Sequence, residues 1–379
     1  MLGALNGLIG WIPLGLPAFL FVITVVVFFH ELGHFAVARL CGVRVETFSI
    51  GFGPAIVRWH DRKGTEWKIS WVPLGGYVKF FGDQDAMSTP DRDQIQDMSA
   101  PERGVAFPLK PLPQRALVVL AGPVANFILA IVIFAGLFAV VGRQQILTHI
   151  GKVSPGAPAA AAGVKAGDIV RFVDGKPVQT FEQLQVAIKD KAGRPLSLTV
   201  SRQGKLFALR MTPSWIETRD LYGGKTRILG IGISPAAEES NAAFVRLGPL
   251  AAIAEAGKET WFVIDSTLTY VWRIVTGASD TKQLTGPIGI AKVSRAAASA
   301  GFMNLIGLIA LISVSIGLVN LFPIPILDGG HLLYYGCEAV LGRPLGARAQ
   351  DIGFRLGLAV MLGLFFLATW NDLVRPSLF

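Results

Sequence analysis

The pentad His30-Glu31-Leu32-Gly33-His34 places two histidines four positions apart, with a glutamate directly after the first. On an α-helix, residues four positions apart lie on the same face. Two neutral imidazoles at that spacing can bind one Zn²⁺, and the glutamate can activate a water molecule at the metal. The pentad therefore predicts a hydrolytic zinc site in which His30 and His34 are ligands and Glu31 is the general base.

The pentad lies in an apolar setting. No charged side chain precedes His30, and the stretch from Pro17 to Phe29 reads PAFLFVITVVVFF. Ionisable groups in such a setting are costly unless they are paired, coordinated or hydrated, so the setting favours a function. A solvated helix end is the alternative explanation of a pentad that stands alone.

A third ligand is needed, because a catalytic zinc site has three protein ligands and one open position for water. Asp328 closes a second apolar run, in the stretch Asn320-Leu-Phe-Pro-Ile-Pro-Ile-Leu-Asp328-Gly. Its setting mirrors that of the pentad. We expect Asp328 to complete the ligand set and Zn²⁺ to be the cofactor.

The composition indicates a membrane protein. The chain has 379 residues, of which 52% are hydrophobic and 16% charged, against about 25% charged in soluble domains. We expect a polytopic α-helical membrane protein with an inserted soluble part. The net charge of +9 fits Lys and Arg in cytoplasmic loops and near lipid headgroups. The chain has no nucleic-acid-binding motif, so membrane lipid rather than nucleic acid is the expected partner.

Apolar runs predict four membrane spans, at about 17–40, 116–141, 302–322 and 357–370 with flanking residues. Lys and Arg are absent before the first span and frequent after it, which places the N-terminus outside and the following segment in the cytoplasm. His34 and Asp328 then both lie near the inner third of the bilayer. The two placements are independent, and their agreement supports one shared site.

The cytoplasmic segment contains a predicted β-hairpin. Short strands at 56–60 and 65–72 flank the turn Asp61-Arg-Lys-Gly64, a third strand is expected from Tyr77, and 84–104 reads as a polar loop. Apolar and polar residues alternate around Trp67, Ile69 and Trp71. A strand edge here can bind an extended peptide by strand addition, which makes these three residues candidates for substrate binding. A purely structural hairpin at the membrane surface is the open alternative.

Residues 150–213 resemble a bacterial PDZ domain, with a Gly-Asp turn at Asp168, an Asp-Gly turn at Asp174, a helix at 180–191, and strands at 196–202 and 205–212. PDZ domains bind peptides by strand addition. Residues 228–233 are expected to complete the sheet or line the groove. Residues 241–277 read as an amphipathic surface helix, because the charged residues there argue against a membrane span.

These assignments divide the chain into six parts. The predicted boundaries are 1–40 for the first span with the pentad, 41–115 for a cytoplasmic, membrane-associated β-rich loop, 116–141 for the second span, 149–235 for the PDZ domain and a following strand, 236–300 for an extracytoplasmic amphipathic linker, and 301–379 for the third and fourth spans with the Asp-Gly motif.

The pentad, the PDZ insert, Gly286-Pro-Ile-Gly289 and Asn320-x-x-Pro-x-Pro-x-Leu-Asp328-Gly together resemble the site-2 protease family. The nearest type is the bacterial regulator of sigma-E protease, here with one PDZ domain instead of two. The resemblance implies a zinc endopeptidase of the bacterial inner membrane with an extracytoplasmic PDZ domain.

Such an enzyme cleaves single-span membrane proteins inside the bilayer, such as anti-sigma factors or signal-peptide remnants, in regulated intramembrane proteolysis. The resemblance also implies that His30, His34 and Asp328 are the zinc ligands, that Glu31 is the base, and that Asn320 contacts the substrate or its oxyanion. A peptide or substrate segment is the expected partner of the PDZ domain.

Two other classes remain open from the sequence alone. A membrane-anchored zinc hydrolase with a soluble site needs a further acidic ligand on a soluble helix. A non-enzymatic protein is either a PDZ scaffold in the membrane or a transporter that handles metal ions or protons. Metal analysis of the purified protein discriminates between these classes, because about one zinc per chain supports the protease.

Overall fold

The structure is a computed structural model that describes residues 12–84, 92–189, 191, 193–219, 225–237, 241–278, 281 and 284–374. The start of the predicted 1–40 part and residues 85–91 of the predicted polar loop lie outside the described residues. The chain forms two compact units. The first contains Met1–Ala135, Ile253–Thr269 and Thr281–Phe379, and the second contains Gly136–Ala252 and Tyr270–Asp280.

Helices and strands follow one another in chain order. The first half of the chain contains α1 (Ile12–Leu40), β1 (Val45–His60), β2 (Glu66–Phe80), α2 (Arg92–Asp97), α3 (Ala100–Val105), a 3₁₀ turn (Phe107–Leu109), α4 (Leu112–Val140), β3 (Arg143–Ile146), β4 (Ile150–Val153), α5 (Pro158–Ala161), β5 (Ile169–Val173), β6 (Lys176–Pro177) and α6 (Phe181–Lys189). The second half contains β7 (Leu196–Arg202), β8 (Lys205–Met211), β9 (Ser214–Arg219), β10 (Lys225–Gly230), β11 (Ile233–Pro235), β12 (Ala242–Val245), α7 (Pro249–Val275), α8 (Pro287–Ala300), α9 (Phe302–Asn320), α10 (Asp328–Leu341) and α11 (Ala347–Val374).

Four helices in the described part of the chain are long and apolar enough to span a membrane. They are Pro13–Leu40 in α1, Leu112–Val140, Phe302–Asn320, and Arg348–Val374 in α11. The expectation of a membrane protein with several spanning helices is confirmed. The last of these helices begins earlier than predicted, because the helix continues through the charged pair of Asp351 and Arg355, which lie one turn apart on its surface.

The hairpin in the first unit is more elaborate than the sequence suggests. Residues Thr47–Ile50 of β1 pair on both sides, with Gly76–Lys79 on one and Glu66–Ile69 on the other. Residues Val57–His60 of β1 then pair with the second side of Glu66–Ile69. The two bent strands therefore make four rows of a small sheet, and Glu66–Ile69 is an inner row.

Two predictions for this region differ from the structure. The strand expected to start at Tyr77 is the end of β2, which continues unbroken through Gly75 and Gly76. A Cβ on Gly76 would lie 2.7 Å from the carbonyl oxygen of Ser49, so the glycine permits close packing instead of a turn. The predicted polar loop contains the short helices α2 and α3 where it is described.

Apolar contacts hold α1 in the first unit. Its C-terminal half packs with Phe48, Phe80 and Val118 in one buried cluster, which joins the hairpin to α4. Its N-terminal half packs with Leu129 and Ile309 in a second cluster, which joins α4 to α9. The pentad lies between these clusters, so packing on both sides fixes the helix that carries it.

The second unit is an α/β structure with its own core. A four-stranded sheet has the order β6-β5-β7-β8, and two-stranded sheets pair β11 with β4, β12 with β3, and β10 with β9. Fully buried side chains from the strands and α6 form the core, among them Ile150, Leu184, Leu196, Leu198 and Ile231. The strand predicted at 196–202 has the observed bounds of β7.

Candidate metal centre

Three polar side chains that are distant in the sequence meet in the first unit. The Nε2 atoms of His30 and His34 are 3.2 Å apart. The Oδ2 atom of Asp328 lies 3.1 Å from Nε2 of His30 and 3.5 Å from Nε2 of His34. These residues are the only group of three or more His, Cys, Asp or Glu in the described part of the chain whose ligand atoms are close enough to share one metal ion.

The donor set fits zinc. A tetrahedral ion with bonds of about 2.0–2.1 Å has ligand atoms about 3.3 Å apart, close to the three separations found here. Oδ2 of Asp328 is buried and accepts no hydrogen bond from any described residue. Three lone-pair atoms that face one another without an intervening proton repel, and a bound cation removes that repulsion.

Helix α4 fixes the orientation of His34. Nδ1 of His34 lies 2.8 Å from the carbonyl oxygen of Val118. A carbonyl only accepts, so Nδ1 carries the proton and Nε2 keeps its lone pair for the cluster. Gly122 makes the close approach of α4 possible, because a Cβ there would collide with the imidazole.

Asn126, a fully buried residue of α4, faces His30. Its Nδ2 lies 3.2 Å from Nδ1 of His30, and its Oδ1 has no partner among the described residues. An amide flip of Asn126 directs its Oδ1 at Nδ1–H of His30, from which it accepts a hydrogen bond. Nε2 of His30 is then free to act as a ligand. The hydroxyl of Ser313 donates to the backbone carbonyl oxygen of Asn126 at 2.8 Å, which joins α9 to α4 at this residue.

Two features of the chain place Asp328 at the cluster. Helix α9 ends at Asn320, and prolines at 323 and 325 prevent its continuation. Asp328 is the first residue of α10, and Gly329 and Gly330 follow it. A Cβ on either glycine would collide with backbone carbonyls of the preceding loop. The Asp-Gly-Gly sequence therefore lets α10 start tightly against that loop.

Glu31 lies beside the hairpin. A Cβ on Gly76 would lie 3.2 Å from its Cγ, and the backbone N–H of Val78 faces its carboxylate. Towards the N-terminus of α1, the Thr24 hydroxyl lies 3.5 Å from the carbonyl oxygen of Pro73. The end of β2 therefore runs along the helix that carries the pentad.

The other candidates have different surroundings. Asn320 is close to the cluster, with Nδ2 at 3.4 Å from Nε2 of His30. Trp67 stacks on Phe48 at 4.3 Å and belongs to the packed interior of the hairpin. Ile69 is 40% exposed and Trp71 69% exposed. Because Trp67 and Ile69 lie on an inner row of the sheet, they can offer a substrate side-chain contacts but no free backbone edge.

Sequence reasoning missed two contacts in this part of the first unit. The carbonyl of Val118 is one, and no residue type marks a carbonyl that faces an imidazole. The other is an ion pair between Arg115 of α4 and Glu338 of α10, which are 223 positions apart. Asn126 could be recognised from the sequence, because an amide side chain inside an apolar span needs a hydrogen-bond partner.

The chain is similar to known metalloproteases over most of its length. The model of Peptidase family M50 matches residues 18–364. A protein of Agrobacterium fabrum named as a zinc metalloprotease is 45% identical over 355 residues, with 94% of each chain covered. Metalloprotease MmpA of Caulobacter vibrioides is 40% identical, with 96% of each chain covered. Regulator of sigma-E protease RseP of Salmonella typhimurium is 32% identical, covering 95% of this chain and 98% of its own.

The chain belongs to peptidase family M50, the site-2 protease family. It is a zinc metalloprotease, and zinc is its cofactor. The non-enzymatic alternatives, a PDZ scaffold or a transporter, do not account for this assignment.

Proposed function

We propose that this zinc metalloprotease is an intramembrane endopeptidase of the bacterial inner membrane that cleaves single-span membrane proteins within the bilayer. The carrying observation is the convergence of His30, His34 and Asp328 between helices apolar enough to span a membrane. In this role it trims anti-sigma-factor-like proteins or signal-peptide remnants in regulated intramembrane proteolysis. The relative named regulator of sigma-E protease supports this choice of substrate class.

In the proposed mechanism His30, His34 and Asp328 hold the metal. Zinc, when bound, acidifies a water molecule and polarises a carbonyl group. Glu31 takes a proton from the attacking water and returns it to the leaving amine. Asn320, whose Nδ2 lies 3.4 Å from Nε2 of His30, is proposed to donate a hydrogen bond to the substrate carbonyl as negative charge develops there.

We place the substrate backbone at the end of β2. Gly76–Lys79 pairs with β1 on one side and has no second strand partner among the described residues. The backbone N–H of Val78, within this segment, faces the carboxylate of Glu31. A substrate helix must unwind before cleavage, because internal hydrogen bonds occupy its carbonyls, and a strand added here would receive replacement partners. Trp71 and Ile69, both exposed, are proposed to contact its apolar side chains.

The second unit is proposed to be a PDZ domain on the extracytoplasmic side that binds a peptide or substrate segment and controls access. The Lys and Arg asymmetry around the first span supports that side. The strand and helix order supports the domain type, since α6 follows β5 and β6 and precedes β7 and β8. Reporter fusions at Gly175 and Lys63 test the orientation, and an inside signal at Gly175 would overturn it.

The function is tested by expressing wild type and Glu31→Gln with candidate single-span substrates. A membrane-bound intermediate, already trimmed outside, should accumulate only with Glu31→Gln. A Glu102→Gln variant is the matched control, because Glu102 is an acid of α3 that caps its own helix through the Ser99 backbone N–H. Equal processing by wild type and Glu31→Gln for every substrate would overturn the proposal.

A further inference from the structure

Arg115 and Glu338 form a nearly buried ion pair between α4 and α10. Nη1 of Arg115 donates to Oε2 of Glu338 at 3.1 Å, and Nη2 donates to Oε1 at 2.5 Å. The side chains are 13% and 16% exposed. Bidentate pairing of this kind fixes the orientation of two groups as well as their separation, and low exposure protects it from screening by salt.

Further contacts hold the guanidinium in place. Nε of Arg115 donates to the carbonyl oxygen of Lys110 at 3.0 Å. The guanidinium carbon lies 4.9 Å from the centre of the Tyr335 ring. Tyr335 and Glu338 are three residues apart and therefore share one face of α10. Arg115 thus holds α10 through a charge contact and a ring contact at once.

Helix α4 is the common support of the metal cluster. It carries Val118, whose carbonyl orients His34, and Asn126, which faces His30. Through Arg115 the same helix also holds α10, whose first residue is Asp328. Glu338 lies ten residues after Asp328, about 15 Å along the helix. The ion pair therefore anchors the far end of the helix that presents the aspartate.

Packing holds α10 only in part. Leu332 and Tyr335 are partly buried against the cluster that joins the hairpin to α4. The fully buried residues of α10 are the two glycines after Asp328, which have no side chain to pack. Its last turn is exposed, and Val340 is 86% exposed. The bidentate contact at Arg115 therefore adds an orientation that this partial packing does not fix.

We infer that Arg115 and Glu338 are positioning residues that keep Asp328 against the two histidines. The inference rests on the proposed role of Asp328 as a ligand. Loss of either partner frees α10 to turn about its own axis, which moves the carboxylate away from Nε2 of His30 and His34. Zinc retention then falls although no ligand has been replaced.

The test is the half-time of zinc release from purified full-length protein into an excess chelator. Arg115→Glu and Glu338→Arg should each shorten it by about 10–100-fold, the usual range for residues that orient metal ligands. The double exchange Arg115→Glu with Glu338→Arg restores an opposite-charge pair and should recover most of the loss. The exposed pair Arg355 and Asp351 of α11, exchanged in the same way, is the control and should release zinc as wild type does.

Steady-state kinetics on a peptide substrate separates positioning from substrate binding. Each single variant should lower kcat and leave KM close to that of wild type. If the reversals do not fold, Arg115→Lys and Glu338→Gln, which keep a charge or a hydrogen bond, should give the same effect at a smaller size. Folded single variants that release zinc at the wild-type rate, or a double exchange no better than the singles, would overturn the inference.

Zinc retention by an Asp328→Asn variant distinguishes failure of the positioning role from failure of the proposed ligand role. If Asp328→Asn retains zinc as wild type does, the proposed ligand role fails, whatever the ion-pair variants show. If Asp328→Asn loses zinc while the ion-pair variants keep it, only the positioning role fails.

Discussion

Two aspartates, one in each unit, have opposite surroundings. In the second unit Asp168 is fully buried and has a complete set of donors. Arg202 donates to both of its oxygens at 2.7 Å, and the Lys165 backbone N–H donates to one of them at 2.8 Å. In the first unit Oδ2 of Asp328 is buried, faces two imidazole nitrogens and accepts no hydrogen bond among the described residues. Each aspartate thus has a carboxylate oxygen shielded from water, and the partners differ.

The partners separate a structural carboxylate from a ligand. Burial alone raises the pKa of Asp168, but the hydrogen bonds from Arg202 and Lys165 outweigh it and lower the pKa below its usual value. The charge of Asp168 is thus satisfied within the protein. Asp328 meets lone pairs, and only a cation completes that arrangement. Substitutions that exchange or remove these partners sharpen or break the comparison.

The largest effect is expected from Glu31→Gln. The amide cannot take a proton from water, and general-base contributions are typically about 10²–10⁴-fold. Activity on a single-span substrate should fall by about that factor, while zinc content stays near wild type. Zinc content is measured on the same sample by elemental analysis. Loss of zinc from Glu31→Gln would show that Glu31 is a ligand and not the base.

Asp328→Asn and Asp168→Asn should have separate consequences. Asp328→Asn removes a charged ligand and should strip most zinc while the second unit stays folded. Asp168→Asn leaves Arg202 without its charged partner and should destabilise the second unit by about 1–3 kcal/mol while zinc is retained.

Elemental analysis and amide hydrogen exchange of β7 measure the two outcomes on the same preparations. The contrast between the two aspartates is contradicted if Asp168→Asn loses zinc with its fold intact. It is also contradicted if Asp328→Asn keeps its zinc and only increases hydrogen exchange.

Asn126→Leu should weaken zinc binding without removing a ligand. The leucine occupies a similar volume but cannot accept the proton of Nδ1 on His30, and loss of such an orienting bond typically costs about 10–100-fold in metal affinity. Competition with a chromogenic chelator measures the affinity. Asn304→Leu, at an exposed amide near the start of α9, is the control. Equal affinity in both variants would show that Asn126 only joins helices.

The smallest expected effect is the loss of stability of the second unit at acidic pH. The pKa values of Asp168 and Asp174 are both lowered in the folded state, that of Asp174 chiefly by the backbone N–H of Ser197 and by Lys191. Their stabilisation is therefore fully present above the unfolded value of about 3.9 and is lost as pH falls through the lower folded values.

The difference in stability between wild type and Asp168→Asn should shrink below about pH 4. Thermal unfolding of the second unit, followed in the full chain across pH, measures it. A difference that stays constant down to pH 2 would show that Asp168 acts through packing alone.

The sequence predicted the features that depend on local spacing. The pentad needs only a helical repeat to bring His30 and His34 together, and β7 has the bounds expected from the resemblance of residues 150–213 to a PDZ domain. Asp328 could be predicted as a site residue because the membrane depths of two apolar runs could be estimated independently. Each of these predictions depends on residues close together in the chain or on bilayer thickness.

The remaining features depend on how distant segments meet. The inner position of Trp67 follows from bends that pair β1 with β2 twice, and alternation carries no information about that second pairing. The Arg115–Glu338 pair joins residues whose helices must first be placed. Such contacts follow from tertiary packing, which the residue pattern of one segment does not encode.

Zinc K-edge X-ray absorption of the purified Glu31→Gln protein tests the central claim most directly. We predict two imidazole nitrogens and carboxylate or water oxygens at about 2.0–2.1 Å, with loss or clear change of this spectrum in Asp328→Asn. A thiolate ligand at about 2.3 Å, a single imidazole, or a spectrum unchanged by Asp328→Asn would contradict a centre built from His30, His34 and Asp328.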